Sequence, residues 1–154
     1  MKKVVYIDMD NVLVDFQTGI DRLDEATKKA YEGRLDDVPG IFGLMKPMPG
    51  SVEAVRTLAD HFDLYILSTA PWLNATAWSD KLAWIHQYYG NDKDSVFYKR
   101  LILTHYKNLS RGDYLIDDRI KNGAGEFMGE LIPFGSEAFP NWESVVQYLT
   151  HAKE

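Results

Sequence analysis

The sequence predicts an α/β fold, a doubly wound parallel sheet of five strands with helices between them. Two observations lead there. Apolar runs of strand length alternate along the chain with stretches of helical periodicity, as in successive βαβ units. Several of those runs also end in acids or hydroxyls, where an open α/β sheet carries its ligands. The 154 residues, 45% hydrophobic and 26% charged, suit one domain with a sizeable core.

Val4-Val5-Tyr6-Ile7 is four apolar residues in a row, read as a strand buried on both faces. It stops at Asp8 and Asp10. Side chains alternate along a strand, so these two acids leave its carboxyl end on the same side. Two carboxylates about 4 Å apart repel by roughly 4 kcal/mol at an effective dielectric near 20, so a fold that holds them together needs a cation or a shared proton. Phe16 to Lys29 places Ile20, Leu23, Ala26 and Thr27 at helical spacing, which predicts one amphipathic helix. Tyr31 to Pro49 holds too many Gly and Pro residues for a long regular element and is read as an insertion over the acids. Ser51 is placed as the N-cap of a helix whose apolar side is Val52, Val55, Leu58, Ala59 and Phe62.

Leu64-Tyr65-Ile66-Leu67 gives a second strand ending in Ser68 and Thr69. Asn74 is placed as the cap of a helix through Trp78, Leu82, Trp84, Ile85 and Tyr88, closed by Gly90. Leu101-Ile102-Leu103 is a third strand and Tyr114-Leu115-Ile116 a fourth, ending in Asp117 and Asp118. Leu131-Ile132-Pro133-Phe134 is a fifth, and Asn141 caps a closing helix with Trp142, Val145, Val146 and Leu149 on its core side.

Composition narrows the function. A net charge of -6 argues against gripping a nucleic-acid polymer through a basic surface, while leaving room for a small anionic substrate. With no cysteine, disulfides, thiolate nucleophiles and Cys-ligated metals are excluded. The longest apolar runs are strand-length, too short to span a membrane, and Met1-Lys2-Lys3 does not open a signal peptide, so a cytoplasmic protein is expected.

Parallel strands finish at one edge, so Asp8, Asp10, Ser68, Thr69, Asp117 and Asp118 converge on one crevice that Lys107 can also reach. Carboxylates in oxygen-only company suit a hard cation, and Mg2+ fits best because a substrate phosphate can complete its shell. The four histidines lack metal-ligand spacing; His61 and His86 are read as helix-surface residues and His105 as a neighbour of the crevice. A hydroxyl, a lysine and a magnesium ion together can cradle a phosphoryl group. One aspartate can then attack phosphorus, and the other can protonate the leaving oxygen and later activate water.

Asp8-Met9-Asp10-Asn11-Val12, Leu67-Ser68, Lys107 and Ile116-Asp117-Asp118 resemble, in order, the four motifs of the haloacid-dehalogenase-like (HAD) phosphatases. Within that superfamily the chain resembles the 5′(3′)-deoxyribonucleotidases. Asp15-Phe16, Pro47-Met48-Pro49-Gly50 and Tyr114-Leu115-Ile116-Asp117-Asp118-Arg119 carry that closer likeness. The resemblance implies a Rossmann-like core of residues 1–16 and 48–154, with a small helical cap inserted at about 17–47. It implies Asp8 as nucleophile and Asp10 as general acid/base. Mg2+ would lie on Asp8, the Asp10 carbonyl and Asp118, with Asp117 in support. Ser68 or Thr69 together with Lys107 would hold the phosphate, and Phe16 would line the nucleoside side. The implied substrate is a small phosphomonoester, a deoxyribonucleoside monophosphate.

Asn11 stands where such proteins often have Gly, and Ser68-Thr69 replaces Thr-Ser. Lys81 is a second candidate for the lysine, but a mid-helix lysine ordinarily lies on a solvated face, which favours Lys107. Ile41-Phe42-Gly43-Leu44 is left as an aromatic wall, and Trp72 is placed near the pocket. Trp78, Trp84 and Trp142 are assigned to core or interface. A receiver-like phospho-accepting module is disfavoured because its paired acids are adjacent and its acceptor Asp ends a later strand, where this chain has Thr104. A dehalogenase would need neither Asp10 nor the Asp117-Asp118 pair.

Overall fold

A computed structural model describes residues 1–152 of the chain. Five strands form one parallel sheet: β1 (Val4–Ile7), β4 (Asp63–Ser68), β5 (Leu101–Leu103), β6 (Tyr114–Asp117) and β7 (Glu130–Pro133). Their order is β5-β4-β1-β6-β7, with Ile7 level with Ile66 on one side and Ile116 on the other. The chain moves outward from β1 in one direction, then returns to β1's other side for β6 and β7. The switch therefore falls at β1, and the carboxyl ends of β1, β4 and β6 meet there.

Alternation splits β1 between two cores. Val5 and Ile7 join the larger one with Val55 and Leu58 of α3 (Ser51–Ala59), Trp84 and Ile85 of α4 (Ala75–Tyr89), and Trp142, Val145 and Leu149 of α5 (Trp142–Ala152). Tyr6 faces the other way, with Leu67, Leu115, Ala124 and Phe127. That second face is covered by the β6–β7 connection, whose regular part is a 3₁₀ turn at Ala124–Glu126. The sheet is wound in both directions as expected, but its three long helices pack on one face.

Three local expectations are corrected. The single helix over Phe16 to Lys29 is two, α1 (Phe16–Ile20) and α2 (Glu25–Ala30). Asp24 accepts a hydrogen bond from the Thr27 N–H at 2.7 Å, which starts a new helix and ends the old register. Gly50, not Ser51, is the N-cap of α3, at φ 80°, and Ser51 instead donates to the Leu13 carbonyl at 3.2 Å. Asn74 occupies the N-cap position of α4, but its side chain bonds elsewhere. At the closing helix Asn141 does accept from the Ser144 N–H at 3.0 Å, as expected.

The segment after α2 holds 3₁₀ turns at Leu35–Asp37 and Ile41–Gly43. The whole stretch 16–45, α1 and α2 included, is closed at its base by a short antiparallel ribbon, β2 (Val14–Asp15) with β3 (Lys46–Pro47). Ile41 and Phe42 are buried, and Trp84 of α4 donates to the Met45 carbonyl at 3.0 Å. No helix among the described residues is long and apolar enough to cross a membrane.

Candidate active site

The acids after β1 are held by a tight turn. The Met9 carbonyl accepts from the N–H groups of Val12 at 3.1 Å and Val14 at 2.9 Å. Asn11 sits at φ 61°, a left-handed conformation that Asn tolerates well, which explains how it serves at this position. Trp142 and Ser51 clamp the turn through the carbonyls of Val12 and Leu13, at 2.8 Å and 3.2 Å.

Two buried lysines divide the acids between them. The Lys107 ammonium bridges Asp8 Oδ1 at 3.1 Å and Asp117 Oδ2 at 2.6 Å. It arrives on a 3₁₀ turn (Lys107–Leu109) whose first N–H donates to the Asn122 carbonyl at 2.7 Å. The Lys81 ammonium donates to both oxygens of Asp10 at 3.1 Å and to Ser68 Oγ at 2.9 Å, and lies 4.5 Å from the centre of the Phe42 ring. The solvated-face reading of Lys81 is thereby overturned. Its residue is 0% exposed, because α4 buries Ala77, Lys81, Trp84 and Ile85 while Leu82 is 44% exposed. A buried ammonium is tolerated only with a carboxylate and hydrogen-bond acceptors within reach, and Asp10 and Ser68 supply both.

The remaining acids are not equivalent. Asp117 has both oxygens committed, Oδ2 to Lys107 and Oδ1 to the Arg119 N–H at 3.0 Å. Asp118 Oδ1 is buried with no hydrogen-bond partner. Carboxylate oxygens of Asp8, Asp117 and Asp118 lie within 4.8 Å of one another. Burial pushes the Asp8 carboxyl well above the usual range; Lys107 opposes that shift, while Asp117 and Asp10 add to it. Burial, then the charge of Asp8, pushes Asp118 up to about 6. The attraction of Asp8 and Asp117 holds Lys107 above its ordinary value in spite of its burial. Four carboxylates against two ammonium groups leave two negative charges, the complement of a divalent cation. An orphaned buried carboxylate oxygen, close to two further acids, fits such an ion.

Asp10 and Asp118 open onto a cleft of about 310 Å³ that is also lined by Asn11, Phe16, Leu35, Asp36 and Arg119. Phe16 lines the cleft, and its ring meets Phe42 edge-on at 5.8 Å. Of the expected wall at 41–44, Ile41 and Phe42 lie in the core, with Phe42 backing Phe16, while Gly43 is exposed and Leu44 half-buried. Thr69 donates to the Thr104 carbonyl at 2.7 Å, leaving Ser68 as the hydroxyl on Lys81. Trp72 is 79% exposed, its ring edge-on to His105 at 6.0 Å, and it stands outside the cleft lining. Trp84 and Trp142 are buried as expected, whereas Trp78 is half-exposed beside His105. Sequence reasoning misses Leu35, Asp36 and Arg119. Arg119 has a usable signal, since it directly follows the acid pair; the other two sit in a segment without periodicity.

Residues 25–145 match the family model described as 5′ nucleotidase, deoxy (Pyrimidine), cytosolic type C protein. A Vibrio phage KVP40 protein named "Putative 5′(3′)-deoxyribonucleotidase" is 61% identical over 149 residues, covering 97% of this chain and 85% of its own length. The human 5′(3′)-deoxyribonucleotidase, cytosolic type, is 27% identical over 176 residues, covering 96% of this chain and 80% of its own. Among solved structures, the Bacillus subtilis "putative HAD-hydrolase YfnB", reported bound to magnesium, superposes with a TM-score of 0.59 at 12% identity, over 96% of this chain and 98% of its own. A haloacid-dehalogenase-like family hydrolase from Xanthomonas campestris gives 0.53 at 10% identity, over 99% and 97%. At those identities the likeness establishes the HAD fold.

Proposed function

The chain belongs to the 5′ nucleotidase, deoxy (pyrimidine), cytosolic type C family, and from that premise we propose a magnesium-dependent phosphatase that hydrolyses deoxyribonucleoside monophosphates through a phosphoaspartyl intermediate. One observation carries the reading. Residues scattered over 111 positions, from Asp8 to Asp118, meet as one lysine-bridged acid pair, Asp8–Lys107–Asp117, and a second lysine held between Asp10 and Ser68, beside an unpartnered buried carboxylate oxygen.

Asp8 is the proposed nucleophile. Its carboxylate attacks phosphorus, the phosphorus–oxygen bond to the sugar breaks, and Asp10, as general acid, passes a proton to the leaving oxygen. Asp10 then takes a proton from water as that water attacks the phosphoaspartyl phosphorus. Inorganic phosphate leaves and Asp8 is restored. Ser68, Lys81 and Lys107 receive the phosphate oxygens, and Lys107 also fixes the orientation of Asp8. Asp8, Asp118 and the Asp10 carbonyl would hold Mg2+, with Asp117 in support. Bound there, the ion supplies Lewis-acid stabilisation of the charge on the phosphoryl oxygens. Residues 17–47 act as the cap over a core of 1–16 and 48–154, and Phe16 contacts the nucleoside. The proposed compartment is the cytoplasm.

The test is phosphate release from deoxy- and ribonucleoside monophosphates beside sugar phosphates, with and without chelator. The expected result is hydrolysis of the deoxynucleotides, lost in chelator and restored by magnesium. Preference for sugar phosphates would replace the substrate assignment, and full activity in chelator would remove the metal.

A further inference from the structure

The side chain expected to cap α4 does something else. Asn74 is buried, and both hydrogens of its amide point away from its own helix, to the carbonyls of Asp36 at 2.9 Å and Val38 at 3.0 Å. Its Oδ1 accepts from the Thr76 hydroxyl at 2.7 Å, and that hydroxyl in turn accepts from the Gly40 N–H at 2.9 Å. Turning the amide over would set an oxygen against two carbonyls, so the network admits one orientation. Every polar atom of the two side chains is used, and all three bonds to the segment land between residues 36 and 40.

Val38 is buried in the larger core and Leu35 packs against it, which anchors the segment without fixing the course of its polar backbone. Its own backbone bonds are local, such as Asp37 to Arg34 at 3.0 Å and Val38 to Leu35 at 3.2 Å. Leu35 and Asp36 line the cleft beside Phe16, and they are its only lining residues from this segment. One helix thus carries Lys81, set against the acids, and seven residues earlier Asn74, which sets the wall.

We infer that Asn74, with Thr76, is a positioning residue that fixes the 35–40 wall and through it the enzyme's preference for nucleoside monophosphates over phosphate esters and anhydrides that carry no nucleoside. This rests on the nucleotidase reading. Asn74 touches neither phosphate nor the acids, so its effect falls on the part of a substrate that reaches Leu35 and Asp36. Asn74→Asp keeps the volume but turns two donated hydrogen bonds into carboxylate–carbonyl repulsion. Thr76→Val, milder and on the helix surface, removes the bond to Gly40.

The experiment compares wild type, Asn74→Asp and Thr76→Val with a deoxyribonucleoside 5′-monophosphate and with acetyl phosphate, alongside amide hydrogen exchange over residues 35–41. For Asn74→Asp the expected KM for the nucleotide rises about tenfold, while kcat/KM for acetyl phosphate stays within about twofold. Exchange in 35–41 quickens in both variants. Equal losses on both substrates, or unchanged exchange, overturn the inference. If Asn74→Asp does not fold, Thr76→Val decides by the same two readouts. If wild type hydrolyses acetyl phosphate but no nucleotide, the nucleotidase reading fails; exchange still judges the latch, unchanged protection overturning it and quickened exchange upholding its hold on the wall.

Discussion

The floor and the wall of the cleft are built on opposite plans. The floor is made of acids and a hydroxyl at strand ends, where β1, β4 and β6 and the tight turns that follow them deliver Asp8, Asp10, Ser68, Asp117 and Asp118. The wall is two residues of a 3₁₀ turn, Leu35 and Asp36, held by side chains of a helix that is distant in sequence. The floor is stiff because each strand is bonded to its neighbours in the sheet. The wall is anchored by the burial of Val38 and tied by three hydrogen bonds from Asn74 and Thr76. Under the proposed function, chemistry belongs to the floor and selectivity to the wall, and changes to the two should separate.

The largest expected effect is at the floor. Asp8→Asn should lower phosphate release at least about a thousandfold, with the circular dichroism spectrum unchanged, because a buried charge gives way to an amide of the same shape. Full activity in that variant would end the covalent mechanism. The two lysines offer a finer test. Lys107 is paired with acids that are themselves buried, so Lys107→Met should destabilise by about 3–5 kcal/mol in urea unfolding. Lys81→Met strands Asp10, whose side chain is 21% exposed, and should cost clearly less stability while still lowering kcat/KM about a hundredfold.

At the wall side, Phe16→Ala should raise KM for nucleotides about tenfold and leave kcat and acetyl phosphate turnover nearly unchanged. A comparable fall in kcat would mean that the floor and the nucleoside side are not separable.

The acids also make stability depend on pH and metal. Asp118 binds its proton more tightly folded than unfolded, so without a divalent cation its contribution favours folding below about pH 4 and is lost as pH rises through about 6. Magnesium should therefore raise the melting temperature more at pH 7.5 than at pH 5, measured by thermal unfolding; equal shifts would place the ion elsewhere. The smallest effect is expected at Ser51→Ala, about 1 kcal/mol from the lost bond to Leu13, with activity intact.

Most of the floor is legible in the sequence because its signal is local. Apolar runs ending in Asp8 and Asp10, in Ser68, and in Asp117 and Asp118 announce both the strand and the polar groups at its end, and the parallel order brings those ends together. The split of Phe16 to Lys29 into two helices is hidden because Ile20, Leu23 and Thr27 keep helical spacing across the break that Asp24 makes. Asn74 reads as a cap because the residue type and position suit one. Only the carbonyls of Asp36 and Val38, brought alongside by folding, offer its amide better partners.

By itself, then, the order of residues determined the parallel sheet and the polar groups at the ends of its strands, since strand periodicity and the groups that end each strand are properties of neighbours in the chain. The switch at β1 came from the strand order of the folded sheet. Lys81 required the tertiary structure. It lies on the same stripe of α4 as Ala77, Trp84 and Ile85, where a lysine reads as an intrusion on a core face. Burying its ammonium is favourable only once Asp10, 71 residues away, and Ser68, 13 away, stand within hydrogen-bond reach. The free energy of a buried charge is set by its surroundings, and those surroundings exist only in the folded chain.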